Sequence, residues 1–245
     1  MSFKPLLIAL ILHSYGPVFG AISSEKFHKS FAAFVAAYNP ITKEARGGVA
    51  GTAFFISPTE AITAYHVIRP STFARTSKQE QIFVWLVHEG EKAIELLSQN
   101  VTYFPDKDLT RVRISQAKAV AKKFVFKNSP SQVSLINRVH TEGFLANSVG
   151  PTFTLLGNRL TITGVPSLIR IRSEGFLIRK ARVDLKAPDV VLNGADCFML
   201  SYQPTVGLSG GPVILGDSVI GMNSFADTVT RNQTWAVDLH ANSVL

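Results

Sequence analysis

The chain has a single cysteine, Cys197, in 245 residues. One cysteine excludes any intramolecular disulfide, so the folded protein depends on its hydrophobic core, which a chain of this length is able to supply. Cys197 begins the apolar run Cys-Phe-Met-Leu, and this setting favours a core thiol over a catalytic one. The small disulfide-stabilised class of exported domains is therefore excluded.

Charged residues are also scarce, at 17% of the chain against 46% hydrophobic residues. This composition is globular and excludes a disordered or coiled-coil protein. The formal net charge is +8, but lysine and arginine are spread along the sequence without a nucleic-acid-binding motif. We interpret the charge as solvated surface and predict no nucleic-acid partner, with an anionic surface or polymer as the alternative that such a charge permits.

Apolar runs are short throughout, and none is long enough to span a bilayer as a helix. The run at residues 6–12 follows Lys4 and precedes the small-residue segment Val18-Phe19-Gly20, which is the pattern of an export signal. A buried N-terminal strand or helix is the alternative for the same run. We predict a signal peptide at residues 1–20 and a secreted or periplasmic protein with no stable membrane insertion after its removal.

Short segments rich in β-branched and aromatic residues recur between turn residues, which predicts an all-β barrel or sandwich. The lysine-rich segment 119–130 is predicted to link an N-terminal domain (residues 21–118) to a C-terminal domain (residues 131–245). Glycine-containing tripeptides and dipeptides mark further predicted turns. These include Arg46-Gly47-Gly48, Ser173-Glu174-Gly175 and Asn193-Gly194.

Three segments carry residues that suit covalent catalysis. A serine hydroxyl is a nucleophile at neutral pH only with a general base in reach, and the base needs a buried acceptor that fixes its tautomer. A Gly-rich turn allows backbone N–H groups, here those of Gly207 and Ser209, to form an oxyanion hole. The segments are Thr63-Ala64-Tyr65-His66-Val67, Pro105-Asp106-Lys107-Asp108-Leu109, and Gly207-Leu208-Ser209-Gly210-Gly211-Pro212.

Each segment alone has an ordinary structural interpretation, namely a buried histidine, a turn aspartate and a Gly-rich hairpin. The serine segment also matches Gly-x-Ser-x-Gly, the nucleophile elbow of α/β-hydrolases, whose triad runs Ser, acid, His. His240 is the only histidine after Ser209, and no alternation of strands and helices surrounds the serine. The order His, Asp, Ser therefore favours a triad of the chymotrypsin type.

At these segments the sequence resembles the trypsin-like serine proteases of the chymotrypsin fold. Residues 51–56 with 63–67 are similar to the family's strand, turn and histidine segment, and residues 207–212 match its Gly-x-Ser-Gly-Gly-Pro block. The similarity of residues 108–114 to its Asp-Leu/Ile-Ala-Leu-Leu-x-Val segment selects Asp108 over Asp106. The Gly-x-Asn-Ser pattern at residues 221–224 is closest to the bacterial high-temperature-requirement proteases.

The resemblance implies two packed six-stranded antiparallel β-barrels with the active site in the cleft between them. It implies a secreted serine endopeptidase that hydrolyses protein or peptide substrates through an acyl-enzyme, with the triad His66, Asp108 and Ser209. No metal or organic cofactor is expected. The alternatives are a catalytically silent relative that binds peptides or envelope components, and an esterase with the same triad. An intact triad favours an enzyme, because a pure binder has no physical need for all three groups.

The resemblance also implies a substrate site. Residues 220–226 are similar to the strand that lines the primary pocket, so Asn223, Ser224, Phe225 and Ala226 are expected to contact substrate. Residues 224–226 would bind peptide by strand addition, with Ser224 near the catalytic aspartate. The resemblance implies that Ala226 narrows the pocket, so small or medium apolar P1 residues are expected.

Three departures from the family limit what the resemblance implies. Gln203 stands where trypsins carry an acidic pocket floor, which argues against Lys or Arg at P1. Leu208 replaces the aspartate that, in many digestive members, pairs with a newly cut N-terminus, so activation of that kind is not expected. The sequence ends soon after the closing strand at residues 235–237, so we expect no PDZ domain.

Overall fold

A computed structural model describes residues 30–57, 59–69, 80–88, 92–114, 133–146, 152–157, 159–164, 167–216, 218–226 and 233–242. The predicted signal peptide (1–20) and the predicted linker (119–130) lie outside the described residues. All strand pairs among the described residues are antiparallel, and the one α-helix among them has four residues. The predicted all-β class is confirmed.

The N-terminal half forms one antiparallel sheet of seven strands. In chain order these are β1 (Ser30–Tyr38), β2 (Ala45–Ser57), β3 (Glu60–Ala64), β4 (Gln81–Val87), β5 (Ile94–Glu95), β6 (Val101–Phe104) and β7 (Leu109–Arg113), with helix α1 (Tyr65–Ile68) after β3 and a 3-10 turn at Ser98–Asn100 before β6. Their order across the sheet is β5-β4-β1-β2-β3-β7-β6. The sheet has one strand more than the expected six, because the two-residue strand β5 pairs with β4.

Strand β1 lies between β2 and β4 and is buried along its whole length. This position explains its continuous apolar sequence, because both faces of a central strand are covered. The turn predicted at residues 46–48 is wrong, since these residues continue β2 and pair with β1. Glycine is required there by close packing, because a Cβ at Gly47 would lie 2.6 Å from Val35 O.

The C-terminal half contains a closed six-stranded barrel with the order β11-β12-β15-β14-β13-β8 and a separate hairpin, β9–β10. Its elements are β8 (Arg138–Phe144), β9 (Thr152–Leu156), β10 (Arg159–Gly164), β11 (Arg170–Lys186), β12 (Val191–Leu200), β13 (Pro212–Leu215), β14 (Ser218–Ala226) and β15 (Thr234–Asp238). The expected six-stranded barrel is confirmed in this half.

The turns predicted at residues 173–175 and 193–194 are wrong, because both segments lie inside the long strands β11 and β12. Gly194 has a positive φ of 60° and lies near a register shift between Val183 and Leu185 on the paired strand. The glycine therefore accommodates an irregularity of the strand and does not form a turn. Gly175 packs close to the backbone of Tyr202, because an ideal Cβ on Gly175 would lie 2.9 Å from Tyr202 N. In both cases tertiary pairing overrides the local turn propensity.

The end of the β11–β12 hairpin contacts the N-terminal sheet. Arg69 Nη2 donates to Pro188 O over 3.1 Å, and Asn193 N donates to Asp106 O over 2.8 Å. Lys107 forms an isolated antiparallel bridge with Leu192. The hairpin therefore touches both segments that carry the candidate histidine and aspartate.

The two halves also share a hydrophobic core. Phe54 and Leu109 of the N-terminal sheet belong to the same buried cluster as Ile214 and Met222 of the barrel. All four side chains are shielded from solvent. Burial of apolar surface across the boundary fixes the barrel against the sheet, and the candidate site residues lie along this boundary.

Candidate active site

His66 lies in helix α1, directly after strand β3. Ala64 is the last residue of β3 and pairs with Leu109, the first residue of β7. The chain thus brings His66 and Asp108 to the same end of two neighbouring strands. Tyr65 N donates to Asp108 O over 3.0 Å, which joins the two segments at this end.

The carboxylate of Asp108 accepts hydrogen bonds from the backbone and the ring of His66. His66 N lies 3.0 Å from Asp108 Oδ1, and His66 Nδ1 lies 3.0 Å from Oδ1 and 2.9 Å from Oδ2. Because a carboxylate only accepts, Nδ1 carries the proton, which leaves Nε2 of the neutral imidazole as an acceptor. The Asp108 side chain is fully buried, whereas that of His66 is 16% exposed. A buried acid therefore orients a base that reaches the surface.

Asp108 receives a further hydrogen bond from the C-terminal barrel. Ser224 Oγ, buried on β14, donates to Asp108 Oδ2 over 2.5 Å. Asp108 also has a φ of 46°, a conformation that non-glycine residues seldom adopt and that surrounding contacts must maintain. Donors from both halves of the molecule thus hold this aspartate.

Ser209 lies in a tight loop before β13, here called the serine loop (residues 205–211). Backbone hydrogen bonds within the loop join Leu208 N to Thr205 O at 3.1 Å and Gly211 N to Leu208 O at 2.8 Å. Ser209 itself is partly exposed. The loop therefore presents the serine at the surface on a backbone that folds back on itself.

The serine loop packs against the strands that lead to His66. Thr52 N donates to Ser209 O over 2.8 Å. A Cβ at Gly51 would lie 2.7 Å from Ser209 O and 2.7 Å from Val67 Cγ2. Ser209 and Val67, the residue after His66, therefore flank the same glycine, and the structure brings the backbones of the serine and histidine segments together.

Gly207 has a backbone that other residues cannot adopt without strain. Its φ is 104°, and an ideal Cβ would lie 2.0 Å from Phe144 O. The carbonyl of the preceding Val206 accepts a hydrogen bond from Ala146 N over 3.1 Å. In a trans peptide N–H and C=O point in opposite directions, so Gly207 N–H points away from Ala146. Glycine at this position allows the two backbones to meet.

Asn223 contributes to the site through its backbone and to a buried network through its side chain. Asn223 N donates to Gly211 O over 2.9 Å, and Gly210 N donates to Asn223 O over 2.8 Å. Tyr202 OH donates to Asn223 Oδ1, and Asn223 Nδ2 donates to Thr141 Oγ1, each over 2.5 Å. Sequence analysis did not identify Tyr202 and Thr141, because no spacing signal connects three residues on separate segments.

The other residues predicted to bind substrate lie at the edge of the barrel. Phe225 stacks on Trp235 with a centroid distance of 5.9 Å and an interplanar angle of 4°. Phe225 and Ala226 are partly buried and pair with Trp235 and Thr234 of β15. Gln203 is exposed in the segment before the serine loop.

Cys197 lies on β12 as a buried free thiol. Burial raises its pKa to about 12, and the negative charges of Asp196, Asp238 and Asp108 act in the same direction. Since the thiolate is the nucleophilic form of cysteine, this thiol is unreactive near neutral pH. Its setting agrees with a core position.

Two further findings concern the described part of the chain. No group of three or more His, Cys, Asp or Glu side chains within it is arranged to hold a metal ion. Its helices include none with the length and hydrophobicity needed to cross a membrane.

No protein-family model matches the chain. No curated protein sequence matches it either. Solved structures do match, among them the active form of the Rv3671c protease from M. tuberculosis, with 19% identity over 85% of this chain and 75% of that chain and a TM-score of 0.53.

Two other solved structures that match are also named as proteases. The HtrA-type protease AlgW with a decapeptide is 15% identical over 86% of this chain and 61% of that chain, with a TM-score of 0.55. The MamO protease domain from Magnetospirillum magneticum is 14% identical over 86% of this chain and 94% of that chain, with a TM-score of 0.51. The chain therefore has the chymotrypsin-like fold of trypsin-like serine protease domains.

Proposed function

We propose that the protein is a secreted serine endopeptidase that uses His66, Asp108 and Ser209 as its catalytic triad. The observation that carries the proposal is the His66–Asp108 pair, in which a fully buried carboxylate lies 2.9 Å from Nδ1 of a partly exposed imidazole. This arrangement leaves Nε2 as the proton acceptor of a general base. The approach of the Ser209 backbone to the histidine segment supports Ser209 as the nucleophile.

In the proposed mechanism Ser209 Oγ attacks the scissile carbonyl while His66 Nε2 takes the hydroxyl proton. The backbone N–H groups of Gly207 and Ser209 stabilise the oxyanion of the tetrahedral intermediate. His66 then donates the proton to the leaving amine, and the acyl-enzyme remains on Ser209. Water, deprotonated by His66, attacks the acyl carbon, and His66 passes that proton to Ser209 Oγ as the acid product leaves. Asp108 fixes the histidine tautomer and stabilises the imidazolium throughout.

Peptide recognition is assigned to β14. Ser224, Phe225 and Ala226 would pair with the substrate backbone as an added strand, and Gln203 would contribute to the primary pocket. Asn223, whose side chain is buried and bonded to Tyr202 and Thr141, would support the pocket from behind. The Phe225–Trp235 stack supports this assignment, because it gives the strand a rigid apolar border. The HtrA-type protease AlgW has been solved with a decapeptide, which supports peptide substrates for a protein of this fold. We propose small or medium apolar P1 residues.

Export through the signal peptide at residues 1–20 belongs to the same proposal, as does the division into domains at residues 21–118 and 131–245. The lone buried cysteine is compatible with an oxidising compartment, since a buried thiol does not form an intermolecular disulfide. Processing of purified exported protein is tested by N-terminal sequencing, which should begin at Ala21.

The proposal is tested by labelling the mature protein with a fluorophosphonate probe, which reacts with activated serines. Labelling should occur in the native protein, be lost in Ser209→Ala and His66→Ala, and persist in Ser98→Ala, a control at an exposed serine of the 3-10 turn. Peptide and ester panels then separate an endopeptidase from an esterase. Absence of labelling in well-folded protein would contradict the proposed enzyme and favour the peptide-binding alternative.

A further inference from the structure

Thr52 of β2 is fully buried at the junction between the N-terminal sheet, the serine loop and β8. Its backbone N donates to Ser209 O over 2.8 Å, and its backbone O accepts from Thr63 Oγ1 over 2.7 Å. Its hydroxyl donates to Gly207 O over 2.8 Å and accepts from Phe144 N over 3.1 Å. Every polar atom of this residue is thus used to join separate segments.

The hydroxyl of Thr52 acts on a part of the serine loop that has little intrinsic rigidity. Gly207 lacks a Cβ, so its φ and ψ are restrained chiefly by contacts with its neighbours. The carbonyl before it is held by Ala146 N, and its own carbonyl is held by Thr52 Oγ1. No peptide bond among the described residues is cis, so the Val206 carbonyl sets the direction of Gly207 N–H, and the Gly207 carbonyl sets the plane of the next peptide. Gly207 is therefore held between two fixed peptide planes, one by Ala146 and the other by Thr52.

The surrounding backbone is shaped to admit this side chain. An ideal Cβ at Gly143 would lie 2.4 Å from Thr52 Oγ1, so a larger residue on β8 would displace the hydroxyl. A Cβ at Gly207 would meet Phe144 O at 2.0 Å. The absence of side chains on both glycines lets one hydroxyl reach both β8 and the serine loop.

We infer that Thr52 is a positioning residue that restrains the Gly207 backbone from its carbonyl side, so that the Gly207 N–H group, whose own peptide plane is held by Ala146 through Val206 O, stays directed for oxyanion stabilisation. The inference rests on the proposed function, since it assigns a role in that active site. Thr52 does not contact the reacting atoms in this role but acts through Gly207. Oxyanion stabilisation operates in the transition state, so loss of the hydroxyl should lower kcat and leave KM nearly unchanged.

The test compares Thr52→Val, which removes the hydroxyl at almost constant shape, with Thr52→Ser, which retains it. Thr52→Val should lower kcat about 100-fold, because a displacement of about 1 Å in an active site has an effect of that size. Affinity for a peptide boronate, which mimics the tetrahedral intermediate, should fall in parallel with kcat/KM. Thr52→Ser should restore both quantities to near the wild-type values.

Hydrogen exchange separates failure of this inference from failure of the proposed function, because it needs no activity. Thr52→Val should accelerate exchange of the Phe144, Ala146 and Leu208 amides, whereas Thr52→Ser should not. This result in a protein that no fluorophosphonate labels would support the anchoring of the loop while contradicting the enzyme. If Thr52→Val does not fold, Thr52→Ala removes the same hydroxyl with less bulk beside Gly143.

Three results would overturn the inference. One is wild-type kcat together with unchanged amide exchange in Thr52→Val. Another is equal impairment of Thr52→Ser and Thr52→Val, which would show that the methyl packing of this side chain matters and its hydroxyl does not. The third is a rise in KM at constant kcat in Thr52→Val, which would contradict a role in oxyanion stabilisation.

Discussion

Ser224 Oγ on the C-terminal barrel donates a hydrogen bond to Oδ2 of Asp108 on the N-terminal sheet. The same carboxylate accepts from His66 N and His66 Nδ1. The acid of the candidate triad is therefore oriented by three donors, and one of them comes from the other half of the molecule. The relative importance of these donors leads to the first two predictions.

Replacement of Asp108 by Asn should lower kcat by about 10⁴-fold, the size of the effect when a triad aspartate loses its charge. The amide cannot stabilise the imidazolium and favours the wrong histidine tautomer. Asp106→Asn is the matched control, because Asp106 lies two residues earlier with an exposed side chain. Kinetics on one peptide substrate checks both variants. Equal loss of activity in both, or loss only in Asp106→Asn, would contradict the assignment of Asp108.

Ser224→Ala should lower kcat/KM by roughly tenfold, much less than Asp108→Asn, because both His66 donors remain on the carboxylate. Far-UV circular dichroism and thermal unfolding should show an intact fold. Ser201→Ala serves as a control in the same barrel, since Ser201 Oγ accepts from Phe176 N on the exposed side. An effect of Ser224→Ala as large as that of Asp108→Asn would mean that Ser224 is essential to the orientation of the acid.

Gly207→Ala should abolish activity and destabilise the protein, whereas Gly216→Ala should be mild. Both glycines have positive φ, 104° and 60°, but only Gly207 is confined, with Phe144 O at 2.0 Å from an ideal Cβ against open space at Gly216. Gly216→Ala should show only the cost of a positive φ for alanine, about 1 kcal/mol in the free energy of unfolding, whereas Gly207→Ala should add the steric clash. Urea unfolding and peptide kinetics measure the two effects. Similar behaviour of the two variants would contradict the steric account.

Tyr202→Phe should reduce the free energy of unfolding by about 1–3 kcal/mol, because it leaves the buried Asn223 Oδ1 without its donor. Burial raises the pKa of Tyr202 well above the ordinary tyrosine range, so the hydroxyl remains a donor at all ordinary pH values. Tyr103→Phe, at a 41% exposed position, is the control and should change stability little. Urea denaturation measures both, and equal effects would count against the buried network.

The Cys197 thiol should resist a disulfide reagent at pH 8 in the native protein and react at once in urea. Burial raises its pKa to about 12 from an ordinary value of 9.0, so the native state keeps a proton that the unfolded state loses between these values. The free energy of unfolding should therefore fall as pH rises from about 9 to 12. Cys197→Ala should show a shallower decline over this range. Rapid reaction of the native protein would contradict the buried position.

The all-β fold could be predicted from the sequence because turn residues separate short β-prone segments, and the resemblance to a known fold supplied the two-half arrangement. The strand conformation of residues 46–48, 173–175 and 193–194 could not be predicted, since pairing with a distant strand decides whether glycine bends a chain or allows close packing. The same holds for β5, whose two residues are too few to show any periodicity.

Some residues of the candidate site could be predicted from the sequence, and others could not. The segments of His66, Asp108 and Ser209 stand out because each combines a reactive side chain with a distinctive local pattern. Thr52 and Tyr202 act through single hydroxyls on residues 155 and 21 positions away from their partners. A threonine in a strand and a tyrosine before a loop have no local signature, so these contacts become visible only when the segments are packed.

The sharing of Asp108 between the two halves has a consequence for protein synthesis. A chain emerging from the ribosome exposes His66 and Asp108 long before Ser209 and Ser224 are translated. On the proposed mechanism, a nascent chain that lacks the C-terminal barrel has neither a nucleophile nor the donor that completes the acid's environment. On that mechanism, proteolytic activity would begin only when the whole chain has been made and folded, so an unfinished chain would be harmless to the cell that makes it.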